Sequence, residues 1–315
     1  MTHVDVVTMG EALVSFRSAA PLISGGPLLP GVAGAESNVA IALSRLGHAA
    51  EWVGRVGADP FGALVLRELR AEGVHTDHVV MDPHTPTGLM FLEQRAADVH
   101  RVEYRRAGSS GSLLGPEDVL PALAGSPRAL HVSGVTSALS ESAREAVVAA
   151  VEAAAAAGVH VSLDVNYRSL LWGREEARAG LARVVPHCDL VIASEDELDL
   201  VSPGDEESAA ADLLAGRASA VAVKRGARGA TLYTVGGRLD RAATRVTSVD
   251  TVGAGDAFCA GLLSAWLDGL DEPEWLDRAV TLGAWAVSTH GDWQGLPSRA
   301  ELNVIRDVSP GDALR

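Results

Sequence analysis

Positive charge and cysteine are both scarce in this 315-residue chain. Against 41 aspartates and glutamates stand 26 lysines and arginines, a formal net charge of −15. A surface of that sign repels phosphate backbones, which argues against a nucleic-acid partner. Any anionic ligand must be met locally, by a few arginines or lysines and by helix N-termini. Two cysteines, Cys188 and Cys259, are too few for a disulfide framework and point to a reducing, cytoplasmic setting. The opening residues Met1-Thr2-His3-Val4-Asp5 lack a basic stretch followed by an apolar one, so no signal peptide is expected. No run of about eighteen apolar residues occurs either. Ala149–Ala157 is short and is interrupted by Glu152, so no membrane partner is expected.

What is present is a composition 47% hydrophobic and 21% charged, ample for a sizeable core in one large α/β domain. Strand-like runs at Val4–Met9, Glu51–Val56, Ala129–Ser133, His160–Leu163, Leu190–Ala193 and Ala220–Lys224 alternate with helical stretches such as Glu141–Ala157 and Glu175–Val184. That alternation predicts a mostly parallel sheet covered on both faces. Leu13–Val32 and Thr85–Arg106 break it, with strand patterns bounded by Gly and Pro and no helix between. The expected organisation is a single domain over residues 1–315, with insertions at about 13–33 and 85–106 forming a small β lid that excludes water.

The strongest local signal is Asp250-Thr251-Val252-Gly253-Ala254-Gly255-Asp256-Ala257-Phe258, followed by a helix-compatible stretch to about Gly269. Glycines just before a helix let backbone N–H groups converge on an anion, and the helix dipole adds partial positive charge. Asp256 then falls in the first turn, beside that anion. Taken alone, Gly-Ala-Gly-Asp reads equally as a glycine turn before an Asp cap. It is not a Walker A loop, since no Gly-x4-Gly-Lys-Ser/Thr occurs. Nor is it a dinucleotide fingerprint, which needs Gly where Phe258 stands.

The full nine-residue pattern resembles the second signature of the PfkB, or ribokinase-like, carbohydrate kinases. Gly34-Ala35-Glu36-Ser37-Asn38 through Gly47 resembles the first signature. There Val39, Leu43 and Leu46 form an apolar helix stripe, Gly47 a C-cap, and Gly34 and Asn38 the end where a ligand hydroxyl is held. The turn Val56–Gly62, the stretch Val223–Ala230 and the Gly291-Asp292 to Leu296-Pro297 segment match in order, so the likeness covers nearly the whole chain. It implies a three-layer, Rossmann-type sandwich with a mostly parallel sheet, and ATP and Mg²⁺ as cofactors.

By the same resemblance Asp256 is the catalytic base, and the backbone of Gly253, Ala254 and Gly255 is the anion hole. The helix N-terminus is expected to hold Asp256 ionised. Lys224, Gly226, Gly229 and Ser194 are expected near the nucleotide, although Lys224 equally reads as a solvated strand end. The family's Asn-x-x-Glu metal motif appears as Ser194-Glu195-Asp196-Glu197, with Glu197 retained and Ser194 in place of Asn. Substrate contacts are expected from Gly34, Asn38, Tyr104, Arg106, Arg168, Asp256 and Asp292, with Arg106 and Arg168 converging on a carboxylate.

Gly-Ala-Glu-Ser-Asn, the Tyr104-Arg105-Arg106 lid end and Asp164-Val165-Asn166-Tyr167-Arg168 together resemble 2-keto-3-deoxygluconate kinases. Gly10-Glu11-Ala12-Leu13-Val14-Ser15 lacks the Asp of ribokinases and adenosine kinases, whereas fructokinase shares the scaffold. Met90 stands where an aromatic substrate contact is expected. A catalytically silent sugar-binding regulator is the reading from another class, and the retained Asp256 opposes it. Lid pairing in the family implies a homo-oligomer. His75-Thr76-Asp77-His78 reads as a surface loop, Asp205-Glu206-Glu207 as a solvated helix start, and Trp266, Trp275 and Trp285 as packing residues.

Overall fold

The computed structural model of the protein describes residues 3–96 and 99–305. Its strands are β1 (Val6–Met9), β2 (Leu13–Ser18), β3 (Leu29–Ala33), β4 (Ala50–Val53), β5 (Arg55–Gly57), β6 (Val80–Asp82) and β7 (Leu89–Ala96). They continue as β8 (Val99–Arg105), β9 (Ala129–Ser133), β10 (His160–Asp164), β11 (Leu190–Ser194), β12 (Ala220–Lys224), β13 (Ala230–Thr234) and β14 (Gly237–Arg241). Eight of them form one sheet in the order β14-β13-β12-β11-β10-β9-β1-β4. Pairing is parallel from β4 to β12 and antiparallel at the β13 and β14 edge.

The parallel strands are buried on both faces, as apolar runs without polar alternation require. Along β11, Ile192 joins one core layer and its neighbour Val191 the other. The first layer holds the helices Ala35–Arg45, Pro60–Ala71, Ala254–Leu267 and Glu272–Val287. The second holds Pro116–Leu123, Glu141–Ala156, Arg174–Leu181 and Glu206–Ala215. This is the three-layer α/β sandwich that the resemblance implied.

Local chemistry sets the element ends that matter for the site. Val39 and Leu43 of the helix Ala35–Arg45 and its C-cap Leu46 are fully buried, each contributing roughly 1.5–3 kcal/mol of burial. Gly47 follows with φ +84. Asp59 caps the helix Pro60–Ala71 by accepting from the Phe61 and Gly62 amides, and it also accepts from the Thr87 amide and hydroxyl. The Glu51–Val56 run is two strands, broken at Gly54, where a Cβ would lie 2.3 Å from the Trp52 ring. Asp205 caps the helix Glu206–Ala215, but Glu206 is not merely solvated: it accepts from the Tyr233 hydroxyl at 2.6 Å and pairs with Arg225.

The two stretches that break the alternation build a second sheet, in the order β3-β2-β7-β8. One face packs towards the helix Pro60–Ala71, with Phe16 stacked on Phe91 at 5.3 Å and edge-on to Phe61 at 5.8 Å. The other presents Leu13, Met90, Leu92, Val102 and Tyr104 to a cavity above the carboxyl ends of the main strands. Open α/β sheets bind ligands at that edge.

Candidate active site

A single cavity of about 1330 Å³ runs between the second sheet, the exits of β10, β11 and β12, and the N-termini of the helices Ala35–Arg45 and Ala254–Leu267. Every candidate site residue named from the sequence lines it: Gly34, Asn38, Tyr104, Arg106, Arg168, Ser194, Glu197, Lys224, Gly226, Gly229, Gly253, Ala254, Gly255, Asp256 and Asp292. What each side chain does there differs.

Gly253 is the N-cap of the helix Ala254–Leu267 and has φ +79. A Cβ at this position would sit 2.0 Å from the Asp292 carbonyl oxygen, so only glycine fits both the backbone and the contact. At Gly255 the nearest atom to an added Cβ would be the Lys224 ammonium, at 3.6 Å. The helix start, its unpaired amides and one lysine therefore converge on one point, the geometry of an anion site.

Asp256 is buried in the first turn of this helix, and its Oδ2 accepts from Asn38 Nδ2 at 2.7 Å. Burial pushes its carboxyl up to about 7, reinforced by the Asp164 carboxylate and opposed by Asn38, Arg168 and Lys224. This corrects the expectation that the helix N-terminus dominates. A dipole is worth about 1 kcal/mol, under one pKa unit, whereas desolvation of a buried carboxyl moves it by several. Asn38 Oδ1 is buried and unpartnered, an acceptor left for a ligand hydroxyl.

Lys224 is the only lysine in the chain. It is not a solvated strand end: its Nζ donates to Asp164 Oδ1 at 2.6 Å, with side-chain exposures of 15% and 2%. Burial works against its charge, but Asp164 raises its pKa above the ordinary lysine value. The turn after β12 is shaped by Gly226 at φ +54 and Gly229 at φ +103, and the Arg225 amide donates to the Gly229 carbonyl.

Three further expected contacts already have partners in the structure. Arg106 is not free to grip a carboxylate, because its Nε donates to Glu11 Oε2 at 2.7 Å and Ser109 also donates to Glu11. Asp292 reaches the cavity wall, but its carboxylate is engaged by Arg17. Glu197 accepts one backbone amide on each oxygen, from Tyr167 and from Ser194, both at 2.7 Å. It pins the turn after β11, and among the described residues no cluster of three metal-ligating side chains exists. Arg168, in contrast, is exposed, borders the cavity and makes no side-chain hydrogen bond or ion pair among the described residues, its charge acting on Asp256 from a distance. The loop that carries it begins at Asn166, which holds φ +39, a conformation that asparagine tolerates.

Residues 10–299 match the model of the pfkB family carbohydrate kinases. The chain belongs to that family. A curated relative, the 2-dehydro-3-deoxygluconokinase of Thermoproteus tenax, is 34% identical, over 96% of this chain and 94% of its own length. The solved 2-dehydro-3-deoxygluconokinase of Thermotoga maritima superposes with a TM-score of 0.86 at 27% identity, covering 97% of this chain and 100% of that one. A fructokinase from Xylella fastidiosa with bound ATP reaches 0.85 at 27% identity, covering 96% and 98%.

The protein is thus an ATP-dependent sugar kinase, and the reach of sequence reasoning in its site is clear. Glu11, Asp164 and Arg17 were not picked out as site residues, yet each fixes the charge state or position of a group that was. Asp164 alone carried a signal, as the first residue of the Asp-x-Asn-x-Arg segment. No helix among the described residues is long and apolar enough to cross a membrane.

Proposed function

We propose that this kinase phosphorylates the terminal hydroxyl of a small sugar acid, 2-keto-3-deoxygluconate, to give the 6-phosphate. The observation that carries the reading is Arg168, whose guanidinium has no hydrogen bond or ion pair among the described residues and stands on the wall of the cavity that also holds Asp256. A carboxylate is the ligand group best suited to satisfy it. The relatives named 2-dehydro-3-deoxygluconokinase add support.

In this mechanism the sugar hydroxyl lies against Asp256, held by the spare acceptor of Asn38. Asp256 accepts the proton as the hydroxyl attacks the γ-phosphorus of ATP and ADP leaves. A group titrating at about 7 is matched to that task at neutral pH. Phosphoryl transfer passes through a loose transition state, so positioning and charge stabilisation carry most of the rate. The amides of Gly253, Ala254 and Gly255 cradle the moving phosphoryl group, and Lys224 directs its unused N–H donors at it. Mg²⁺, when bound with ATP, would supply charge neutralisation at the phosphates, and the residues present fit a hydrated ion. Glu197, with both oxygens already accepting amides, would hold such an ion only through water.

A neutral hexose is the second reading, because Glu11 neutralises Arg106, the second arginine of the expected carboxylate clamp. ADP release with Mg-ATP on 2-keto-3-deoxygluconate, fructose, ribose and adenosine separates the two. The expected result is a kcat/KM for the keto acid at least ~10-fold above that for fructose, about one charged hydrogen bond's worth. Fructose as the better substrate would overturn the sugar-acid assignment and leave the kinase assignment standing.

A further inference from the structure

Arg17 belongs to the lid sheet, in β2, opposite Leu29 of β3 and beside Leu92 of β7. It does not border the cavity. Its guanidinium nonetheless reaches the phosphoryl end of the molecule. Nη1 donates to Asp250 Oδ2 at 2.6 Å and Nη2 donates to Asp292 Oδ1. The side chains of Asp250 and Asp292 are only 5% and 6% exposed, so both depend on this one cation for charge compensation.

The two carboxylates belong to the two loops that shape the anion site. Asp250 opens the Gly253–Gly255 loop, with Oδ1 accepting from the Val252 amide at 3.1 Å and Oδ2 from the Gly291 amide at 3.3 Å. Asp292 lies on the other side, and its carbonyl is the atom against which the Cα of Gly253 is packed. The second loop is itself held from behind by Arg45, whose Nη1 donates to the carbonyls of Trp293, Gln294 and Leu296. One guanidinium from the lid thus bridges the two walls whose separation fixes where the Gly253 to Gly255 amides point.

We propose that Arg17 is a positioning residue for phosphoryl transfer, locking the Asp250 and Asp292 loops together so that the anion site keeps its shape. It touches neither the sugar nor ATP, and it acts whichever sugar is the substrate. A planar fork that engages two carboxylates at once suits the role, and a lysine point charge would not reproduce it. Without it, two like charges remain buried side by side and push the loops apart. The bland alternative is a staple between lid and core that matters only for stability.

The test uses the full chain, Mg-ATP and whichever sugar turns over fastest. Arg17→Ala is expected to lower kcat at least ~30-fold with the sugar KM within about threefold, since a misplacement of ~1 Å costs on this scale. Added guanidinium ion at tens of millimolar should fill the vacated space and restore at least fivefold of the loss, by roughly 1 kcal/mol of regained pairing. Arg17→Lys should fall between parent and Arg17→Ala. A kcat for Arg17→Ala within threefold of the parent would overturn the proposal. So would a loss that guanidinium leaves untouched and that follows the fraction of folded protein in thermal melts. If Arg17→Ala does not fold, Asp292→Asn carries the test: unchanged kcat there overturns the proposal, and a drop at unchanged sugar KM supports it.

Discussion

Glu11–Arg106 at the lid end of the cavity and Asp164–Lys224 at the phosphoryl end both set a cation against a nearly inaccessible carboxylate. Arg106 is largely spent: Nε and Nη2 both go to Glu11, Ser109 takes the other oxygen, and the guanidinium lies over the Tyr104 ring at 5.2 Å. Among the described residues Lys224 makes one hydrogen bond, to Asp164, and an ammonium has three donors. The first pair is closed and close to neutral towards a ligand. The second delivers a charged donor to the anion loop. The difference shows that a cation on a cavity wall is a ligand contact only when its counter-ion leaves it something to give. Deleting either cation strands a buried carboxylate at a cost of about 3–5 kcal/mol, so stability alone does not distinguish them. Activity does.

The largest effect should come at Asp256, which lies between the two ends. Asp256→Asn is expected to cut kcat by about 10³–10⁴, at the upper end for loss of a general base, read by ADP release. The stability sign runs the other way. The folded pKa is raised from 3.8 to about 7, so the folded state holds its proton longer than the unfolded chain. Parent stability therefore falls as pH rises from about 4 to about 7 and stays low above that. Thermal melts should show Asp256→Asn more stable than the parent at pH 8, by up to ~4 kcal/mol, with the gain gone by about pH 4. A parent kcat/KM with no acid limb near neutrality would break this assignment.

Next comes the open pair. Lys224→Met should lower kcat by about 100-fold, the scale of one preorganised charged donor. Lys224→Met/Asp164→Asn should regain most of the lost stability and little of the rate. If the double variant regained the rate as well, Lys224 would merely balance Asp164, and the contrast with Arg106 would collapse.

The smallest effect belongs to the closed pair. Arg106→Met/Glu11→Gln should leave kcat/KM for the keto acid within about threefold, whereas Arg168→Met should raise its KM about tenfold, or ~1.4 kcal/mol. Steady-state kinetics with fructose as the control substrate reads both. A loss in the double variant as large as that of Arg168→Met would mean that Arg106 leaves Glu11 for the ligand.

The parts of the site that the sequence made legible are those in which cause and effect lie within one turn. Gly253 and Gly255 before a helix, Gly47 after one and the apolar stripe of Val39, Leu43 and Leu46 are local statements about backbone freedom and periodicity. The strands Ala129–Ser133 and Ala220–Lys224 stand where the apolar runs put them, because a strand buried on both faces needs no partner to be recognised. β14 escaped notice because nearly all of it is exposed and it has no apolar face to betray it. The charge pairings were out of reach for a different reason. Glu11 and Arg106 are separated by 95 residues, Asp164 and Lys224 by 60, and Arg17 and Asp292 by 275. A residue's identity states what it can pair with, and only the fold states what it does pair with. The ionisation of Asp256 turned on the same distinction, since its helix position is local and its burial is not.

The second sheet is fastened through β2 and β3 and again at the foot of β8, where Arg106 binds Glu11. Arg17 ties β2 to the Asp250 and Asp292 loops, and Trp293 Nε1 donates to the Val32 carbonyl in β3 at 2.9 Å. β8 is the free edge, two strands away from β2. Strands lie about 4.8 Å apart, so a twist of roughly 10° about β2 sweeps β8 through about 1.7 Å while the anchored side scarcely moves. Such a twist would have its fulcrum at the phosphoryl end and its stop at the Arg106–Glu11 pair. Tyr104 lies beside that stop, its ring under the Arg106 guanidinium at 5.2 Å, so the ligand meets it where the sheet would travel least.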